Sequence, residues 1–238
     1  MTTEKDAKVA VAKKKLTMYR DVVPLASGMF SENTKISKEK MVATLHRSML
    51  GLTKTGEARP MEDLKLFLAI SNQYGLNPFK KEIYATYVWN KERQREELTP
   101  IVSIHGLRKM ARKSTTPRYT HTGAAELEFS KDDPSQIISA TVPVFGIFSS
   151  GVGASLSGVS PVEITRYTAY FDEFARRKKD GDLNSMWRSR PRMMLIKCAE
   201  ANAIRQGFDI SGLYIEEEIA NDKVIDADPD EEMRHGEG

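Results

Sequence analysis

The hydrophobic pattern changes from a helical period to a strand period near residue 83, and this change constrains the fold most. ISKEKMVATLHRSML and RPMEDLKLFLAISNQYGL repeat apolar residues at three- and four-residue spacing, which predicts two amphipathic helices. Ser37 is the expected N-cap of the first helix, and Gly75 is the expected end of the second. In NPFKKEIYATYVWN two sets of side chains alternate and predict a strand: Ile83, Ala85, Tyr87 and Trp89 against Tyr84, Thr86 and Val88.

The rest of the chain continues this mixture of elements. TPIVSI is the expected return strand, HGLRKMARK a helix, and three more strand-like segments follow: THTGAAELEFS, QIISATVPVFGIF and PVEITRYTAYF. A long closing helix, PRMMLIKCAEANAIRQGF, ends the pattern. The predicted fold class is α+β, with an antiparallel sheet of about five strands and packed helices.

Charge divides the chain into three regions. Residues 216–238 hold ten acidic residues against two basic ones, a local net charge of −8. Because the whole chain carries +3, residues 1–215 carry +11. We therefore expect a mobile basic arm over 1–36, a core domain over 37–215 and a disordered acidic tail over 216–238.

Signatures of covalent catalysis are missing from the sequence. GLTKTGEA has the two glycines of a phosphate loop, but Glu57 and Ala58 replace its Lys and Ser/Thr, so no side chain reaches the β and γ phosphates. The four histidines lie on different segments without a paired cysteine or carboxylate at ligand spacing, which argues against zinc. We expect a protein that is not an enzyme, binds no metal and requires no cofactor, with Mg²⁺ only modulating its ligand binding.

Two features indicate the compartment. No run approaches the ~20 apolar residues of a membrane span, and the chain opens without a signal-peptide pattern. The single Cys198 cannot form an intramolecular disulfide, which suits a reducing environment. The sequence therefore predicts a cytoplasmic protein without membrane contact.

Basic residues concentrate between Phe174 and Arg205, where nine of them oppose three acidic residues. The nine are Arg176, Arg177, Lys178, Lys179, Arg188, Arg190, Arg192, Lys197 and Arg205. Such a segment is typical of proteins that bind a polyanion, where phosphate contacts give affinity independent of sequence. The alternative on composition alone is a solvated charged face.

The start of the closing helix is a candidate anion site. Ser189 can cap a helix that begins at Pro191 or Arg192, leaving free backbone amides beside Arg188 and Arg190. Guanidinium groups there could bind phosphate oxygens bidentately. Further along, the alternative for the cations at 197 and 205 is an ion pair with Glu200 or a neighbouring carboxylate.

Four blocks carry a family resemblance: NQYGLNPFKKEIYA, PIVSIHGLRKMAR, WRSRPRMMLIKCAEANAIRQGF and SGLYIEEE, in this order between Met61 and Glu218. They resemble the RecT/Redβ (Bet) family of phage single-strand annealing proteins (recombinases). The resemblance implies a fold similar to the single-strand annealing core, binding of single-stranded DNA, and pairing of complementary strands without ATP. It also implies assembly into a ring or helical filament. The backbone contacts it implies are Lys81, Arg192, Arg205 and, with a one-residue difference in register, Lys197.

The chain departs from its relatives in two places. Arg190 stands where relatives often have His before the proline. Relatives can carry a folded C-terminal domain that recruits an exonuclease or the host single-strand binding protein, whereas the acidic tail expected here is about twenty residues long, too short for a core. The expected partners are therefore single-stranded and annealed duplex DNA and further copies of the chain, with the exonuclease and host protein as additional candidates.

Three aromatic residues lie near the basic positions: Trp187, Phe79 and Tyr84. They are either base-stacking residues or anchors of the core and of turns. The alternative to an annealing function is a passive single-strand binding protein that covers DNA without accelerating pairing.

Overall fold

The computed structural model describes residues 19–29, 36–53, 55–115, 117–148, 159–178 and 180–215. In these residues the helices are α1 Val23–Ala26, α2 Lys38–Leu50, α3 Met61–Tyr74, α4 Ile104–Lys113, α5 Phe171–Phe174, α6 Ser185–Ser189 and α7 Pro191–Phe208. The strands are β1 Ile83–Asn90, β2 Arg95–Val102, β3 Arg118–Thr122, β4 Glu126–Phe129, β5 Ile137–Ile147 and β6 Val162–Tyr170. Short 3₁₀ helices cover Ser27–Met29 and Pro78–Lys80.

The ends of the first two long helices are the predicted ones. Ser37 caps α2, since its side chain accepts a hydrogen bond from the Lys40 amide at 3.3 Å. Helix α3 begins after Pro60 and ends at Gly75. Gly75 has φ 63° and ψ 35°, a left-handed conformation that costs glycine little, and its amide donates to carbonyls of the last turn.

The strands form two antiparallel sheets, which confirms the α+β class. One sheet pairs β1 with β2. In the other sheet, β5 is the central strand and pairs with β3, β4 and β6. There are six strands where about five were predicted, because THTGAAELEFS forms two strands. Its two parts pair with different halves of β5: Thr122 with Val144, and Glu126 with Thr141.

Helix α7 packs along the four-stranded sheet, and small side chains bring it close. Ala199, Ala201 and Ala203 are buried, and a Cβ on Gly207 would lie 2.7 Å from the Thr165 methyl group. The helix joins two apolar clusters. Its first half packs around Trp187 under β5, and its second half packs with α1–α4 and the β1–β2 sheet.

Residues 19–29, within the predicted N-terminal arm, pack against the folded body. Val22 and Ala26 are fully buried in the main cluster, and the Asn72 side chain donates a hydrogen bond to the carbonyl of Leu25. Residues 19–29 therefore cover part of the main apolar cluster of the folded body. The remaining residues of the predicted arm, 1–18 and 30–35, and the acidic tail at 216–238 lie outside the described residues.

The segment after α7 returns to the small sheet. Tyr214 forms a parallel bridge with Ile101, and its carbonyl accepts a hydrogen bond from the Val102 amide at 2.8 Å. This pairing ties the end of the long helix to β2. Of the helices that the structure describes, none is long and apolar enough to cross a membrane.

Candidate nucleic-acid interface

The junction between α6 and α7 presents the arginines at the start of α7. The side chain of Asn184 caps α6 by accepting a hydrogen bond from the Trp187 amide at 2.9 Å. Arg190 lies between α6 and α7 with φ −140° and ψ 51°, and Pro191 occupies the first turn of α7, as predicted. The expected cap was wrong: the Ser189 hydroxyl donates to the Met186 carbonyl at 3.4 Å, and Arg190 is the N-cap residue.

The three arginines of this junction are exposed to solvent and directed away from the core. Arg188 is held loosely, with its guanidinium 3.1 Å from the Leu183 carbonyl and 3.5 Å from the Asp182 carboxylate. The guanidinium of Arg192 lies 4.8 Å from the centre of the Phe129 ring, a cation–π contact. Such contacts orient the side chains and leave hydrogen-bond donors available for phosphate oxygens.

The basic loop before α6 has a mixed character. Arg177 and Lys178 are exposed, and Arg177 donates to the Gly181 carbonyl at 3.0 Å. Arg176 is half-buried, and among the described residues its Nη2 atom has no hydrogen-bond partner. Lys179 lies outside the described residues. The loop therefore adds positive charge next to the junction, with Arg176 partly withdrawn from solvent.

The cations farther along α7 are less accessible. Lys197 and Arg205 are half-buried, and Arg205 donates a hydrogen bond to the Leu213 carbonyl. The carboxylate considered as their partner, Glu200, is bound by Arg108 at 2.7 and 2.8 Å and by the Thr122 hydroxyl at 2.8 Å. Arg205 thus has a structural contact that the sequence did not indicate, in addition to the DNA contact implied by the resemblance.

Lys81 lies on a rigid turn between α3 and β1. The Asn77 side chain accepts from the Phe79 amide at 2.9 Å, and Lys81 has the left-handed conformation φ 56°, ψ 34°. Both Lys80 and Lys81 are exposed. The turn therefore presents two ammonium groups without covering them.

A buried carboxylate holds this turn in place. Glu82 accepts hydrogen bonds from the Asn77 amide at 2.7 Å and from the Lys109 ammonium at 2.6 Å. Burial alone would raise the pKa of Glu82, but these hydrogen bonds and the charges of Lys109 and Lys80 lower it below its usual value. Glu82 therefore stays ionised and anchors the turn to α4.

The three candidate stacking residues differ in environment. Trp187 is fully buried and makes an edge-to-face contact with Phe171, at a ring distance of 5.7 Å. Of the two alternatives for Trp187, its burial favours the core anchor, because neither ring face is open to a base. Phe79 is half-buried against the main cluster, whereas Tyr84 is 40% exposed. Of the three, Tyr84 presents the most accessible ring.

A second concave surface, next to the β1–β2 hairpin, does not match a phosphate site. It is lined by three arginines and four carboxylates: Arg59, Arg93, Arg95, Glu62, Asp63, Glu96 and Glu97. Arg59 stacks on the Tyr87 ring at 3.7 Å and bonds Glu96 at 2.6 Å, while Glu97 accepts from Arg93 and Arg95. These charges neutralise one another, so this surface does not present a net positive charge to phosphates.

The described residues contain no group of three or more histidine, cysteine or acidic side chains that could hold a metal ion.

The basic residues at the two ends of α7 are far apart. At a rise of 1.5 Å per residue, Arg192 and Arg205 are about 20 Å apart along the helix axis. A ligand that touches both must be extended.

A family model described as the RecT family matches residues 45–141 and 151–232. The chain belongs to the RecT family. No curated protein and no solved structure matches it. The RecT match includes the turn at Lys81 and the whole basic segment from Arg176 to Arg205, and it starts within α2. RecT proteins are single-strand annealing proteins of recombination, so membership supports a role in DNA annealing and recombination that involves single-stranded DNA.

Proposed function

We propose that the protein anneals complementary DNA strands without ATP, in phage homologous recombination. Membership of the RecT family carries this proposal, and the exposed arginines at the start of α7 support it. Annealing needs a surface that neutralises phosphates and leaves the Watson–Crick edges free, since pairing itself must read the sequence. The DNA-binding residues are Lys81, Arg188, Arg190, Arg192, Lys197 and Arg205, with Arg176, Arg177, Lys178 and Lys179 adding charge beside them.

The loop at residues 51–58, which has the two glycines of a phosphate loop, supports annealing without a nucleotide. The Thr53 amide donates to the Glu57 carbonyl at 2.8 Å and the Gly56 amide donates to the Thr53 carbonyl at 2.9 Å, so the backbone closes on itself. Glu57 is exposed where a phosphate-binding lysine would stand. A negative side chain at this position would repel a triphosphate.

Oligomerisation supplies length to this surface. Each subunit holds a few nucleotides, and a ring or helical filament multiplies these contacts through effective concentration. In the proposed assembly the positive surfaces of neighbouring subunits form one groove that holds single-stranded DNA and then the nascent duplex. Mg²⁺ modulates binding by competing for phosphates. An exonuclease and the host single-strand binding protein are the proposed protein partners.

Annealing of two labelled complementary oligonucleotides, followed by energy transfer in EDTA without nucleotide, tests this function. We expect pairing to be faster than the spontaneous reaction and the product to stay bound. A non-complementary pair is the control and should give no signal. Binding without faster pairing would show a passive single-strand binding protein, and degradation after Mg²⁺ addition would show a nuclease.

A further inference from the structure

The segment that follows α7 completes a row of side chains across the small sheet. Tyr214 pairs with Ile101 of β2, and Ile101 is the antiparallel partner of Tyr84 on β1. Because cross-strand partners project from the same face of a sheet, these three side chains lie side by side. We refer to Tyr84, Ile101 and Tyr214 as the tyrosine row.

The two faces of this sheet have opposite environments. Four chain neighbours of the row point into the core and are at most 7% exposed: Ile83, Val102, Leu213 and Ile215. In the row itself Tyr84 is 40% exposed and Tyr214 is 59% exposed, while Ile101 between them is 8% exposed. Core packing therefore fixes the backbone, but it does not explain why the tyrosines on both sides of Ile101 are exposed to solvent.

Positive charge lies next to both ends of the row. On one side, the exposed Lys81 closes the turn that leads into β1. On the other side, a cavity of about 460 Å³ is lined by Arg205 together with residues 210–214, including Ser211 and Tyr214. Each tyrosine is thus close to one of the cations that the proposed function assigns to phosphates: Lys81 lies three residues before Tyr84, and Arg205 lines the same cavity as Tyr214.

We propose that Tyr214, together with Tyr84, is a base-stacking platform for single-stranded DNA, with phosphates of the same strand held by Lys81 and Arg205. The inference rests on the proposed function and adds to it the surface that receives the bases. An aromatic face stacks on any base and leaves its pairing edge exposed, which is the requirement for annealing without sequence preference. The two tyrosines are two strand spacings apart, about 9.6 Å between backbones, so each ring serves its own base.

The test compares DNA with and without bases. Affinities are measured for oligothymidylate and for an abasic oligonucleotide of equal length, using wild type, Tyr214→Ala, Tyr214→Leu and Tyr214→Phe. Tyr170→Ala is the matched control, because Tyr170 is 45% exposed at the end of β6, away from the row. Circular dichroism verifies the fold of each variant, and the leucine variant keeps apolar bulk without an aromatic face.

We expect Tyr214→Ala and Tyr214→Leu to bind oligothymidylate about 5- to 150-fold more weakly, as the loss of one stacked base implies. Their affinity for the abasic strand should equal that of wild type. Tyr214→Phe and Tyr170→Ala should bind both strands as wild type does. Unchanged affinity for oligothymidylate, or equal losses on both strands, would overturn the platform.

The same proteins separate this inference from the proposed function. If wild type accelerates annealing and Tyr214→Leu loses nothing on oligothymidylate, the platform is wrong and the annealing function stands. If Tyr214→Leu loses affinity only for DNA with bases and wild type does not accelerate pairing, the platform stands and the annealing function is wrong.

Discussion

The guanidinium of Arg108 donates two hydrogen bonds to the carboxylate of Glu200, at 2.7 and 2.8 Å. Arg108 belongs to α4 and Glu200 to α7, and the Thr122 hydroxyl of β3 binds the same carboxylate. The hydrogen bonds to Glu200 raise the pKa of Arg108 above its ordinary value despite partial burial. This bidentate pair fixes the middle of the helix that presents the basic surface.

Removing Arg108 should destabilise the fold. Arg108→Ala leaves the Glu200 carboxylate buried without its counter-ion, which costs about 3–5 kcal/mol at a fully buried site. The Arg108 side chain is 33% exposed, and water screens part of this loss, so we expect about 2–3 kcal/mol. Urea unfolding at fixed protein concentration measures the change.

The double variant Arg108→Leu/Glu200→Leu, measured with its single variants Arg108→Leu and Glu200→Leu, is the control for this pair. We expect its loss of unfolding free energy to be smaller than the sum of the losses in the two single variants, because neither charge is then left without its partner. Additive losses would show that the two side chains act independently.

Stability should fall in acid because of Glu82. Its pKa is lowered in the folded protein, so between the folded and unfolded pKa values the unfolded chain binds more protons. The contribution is therefore present above the ordinary glutamate pKa of about 4.3 and is lost as pH falls through the lower folded value. Unfolding free energies measured from neutral pH to acid should show a smaller slope in Glu82→Gln than in wild type. The exposed Glu57, changed to Gln, should leave the slope as in wild type, and equal slopes in all three proteins would contradict the role of Glu82.

The fluorescence of Trp187 should not change when the protein binds DNA. In Trp89→Phe, Trp187 is the remaining tryptophan, and its buried position predicts a blue-shifted emission that saturating single-stranded DNA leaves unchanged. Strong quenching on DNA binding would mean that the ring leaves the core and stacks on a base. Trp187→Ala should instead lower the free energy of unfolding by about 3–5 kcal/mol.

The arginines at the start of α7 should determine the salt dependence of binding. Arg190→Ala and Arg192→Ala each remove one proposed phosphate contact, so the slope of log affinity against log salt should become shallower by about 0.7 per contact. Arg166→Ala is a matched control, because Arg166 is exposed on β6 and is bonded by Glu163 at 2.6 Å. Slopes unchanged from wild type would mean that the two arginines contact no phosphate.

Local pattern predicted the four longer helices, α2, α3, α4 and α7, because each has its own apolar stripe and end signals. The short helices α1, α5 and α6 were not predicted. Ser37, Gly75 and Pro191 mark helix ends in the structure as they do in the sequence. The division of the strands into two sheets was not predictable from the same rules. It depends on long-range pairing of β5 with β3, β4 and β6, which alternation in one segment does not encode.

The site was only partly accessible to sequence reasoning. A cluster of arginines before Pro191 indicates a basic surface, but it does not tell which cations form hydrogen bonds within the protein. Arg205 bonds the Leu213 carbonyl because the chain returns to β2 after α7. Alternation of Leu213, Tyr214 and Ile215 was the available signal for that strand, and it is too short to predict pairing without the partner strand. The acidic Glu200 gave no indication that a residue 92 positions away binds it.

The most direct test of the central claim is the rate of nucleotide-free annealing of complementary oligonucleotides, by wild type and by Arg190→Ala/Arg192→Ala at matched saturation with DNA. We predict that wild type accelerates pairing and retains the duplex, and that the double variant loses both effects while its unfolding curve stays that of wild type. Equal annealing rates for the two proteins, or no acceleration by wild type over the spontaneous reaction, would contradict the account.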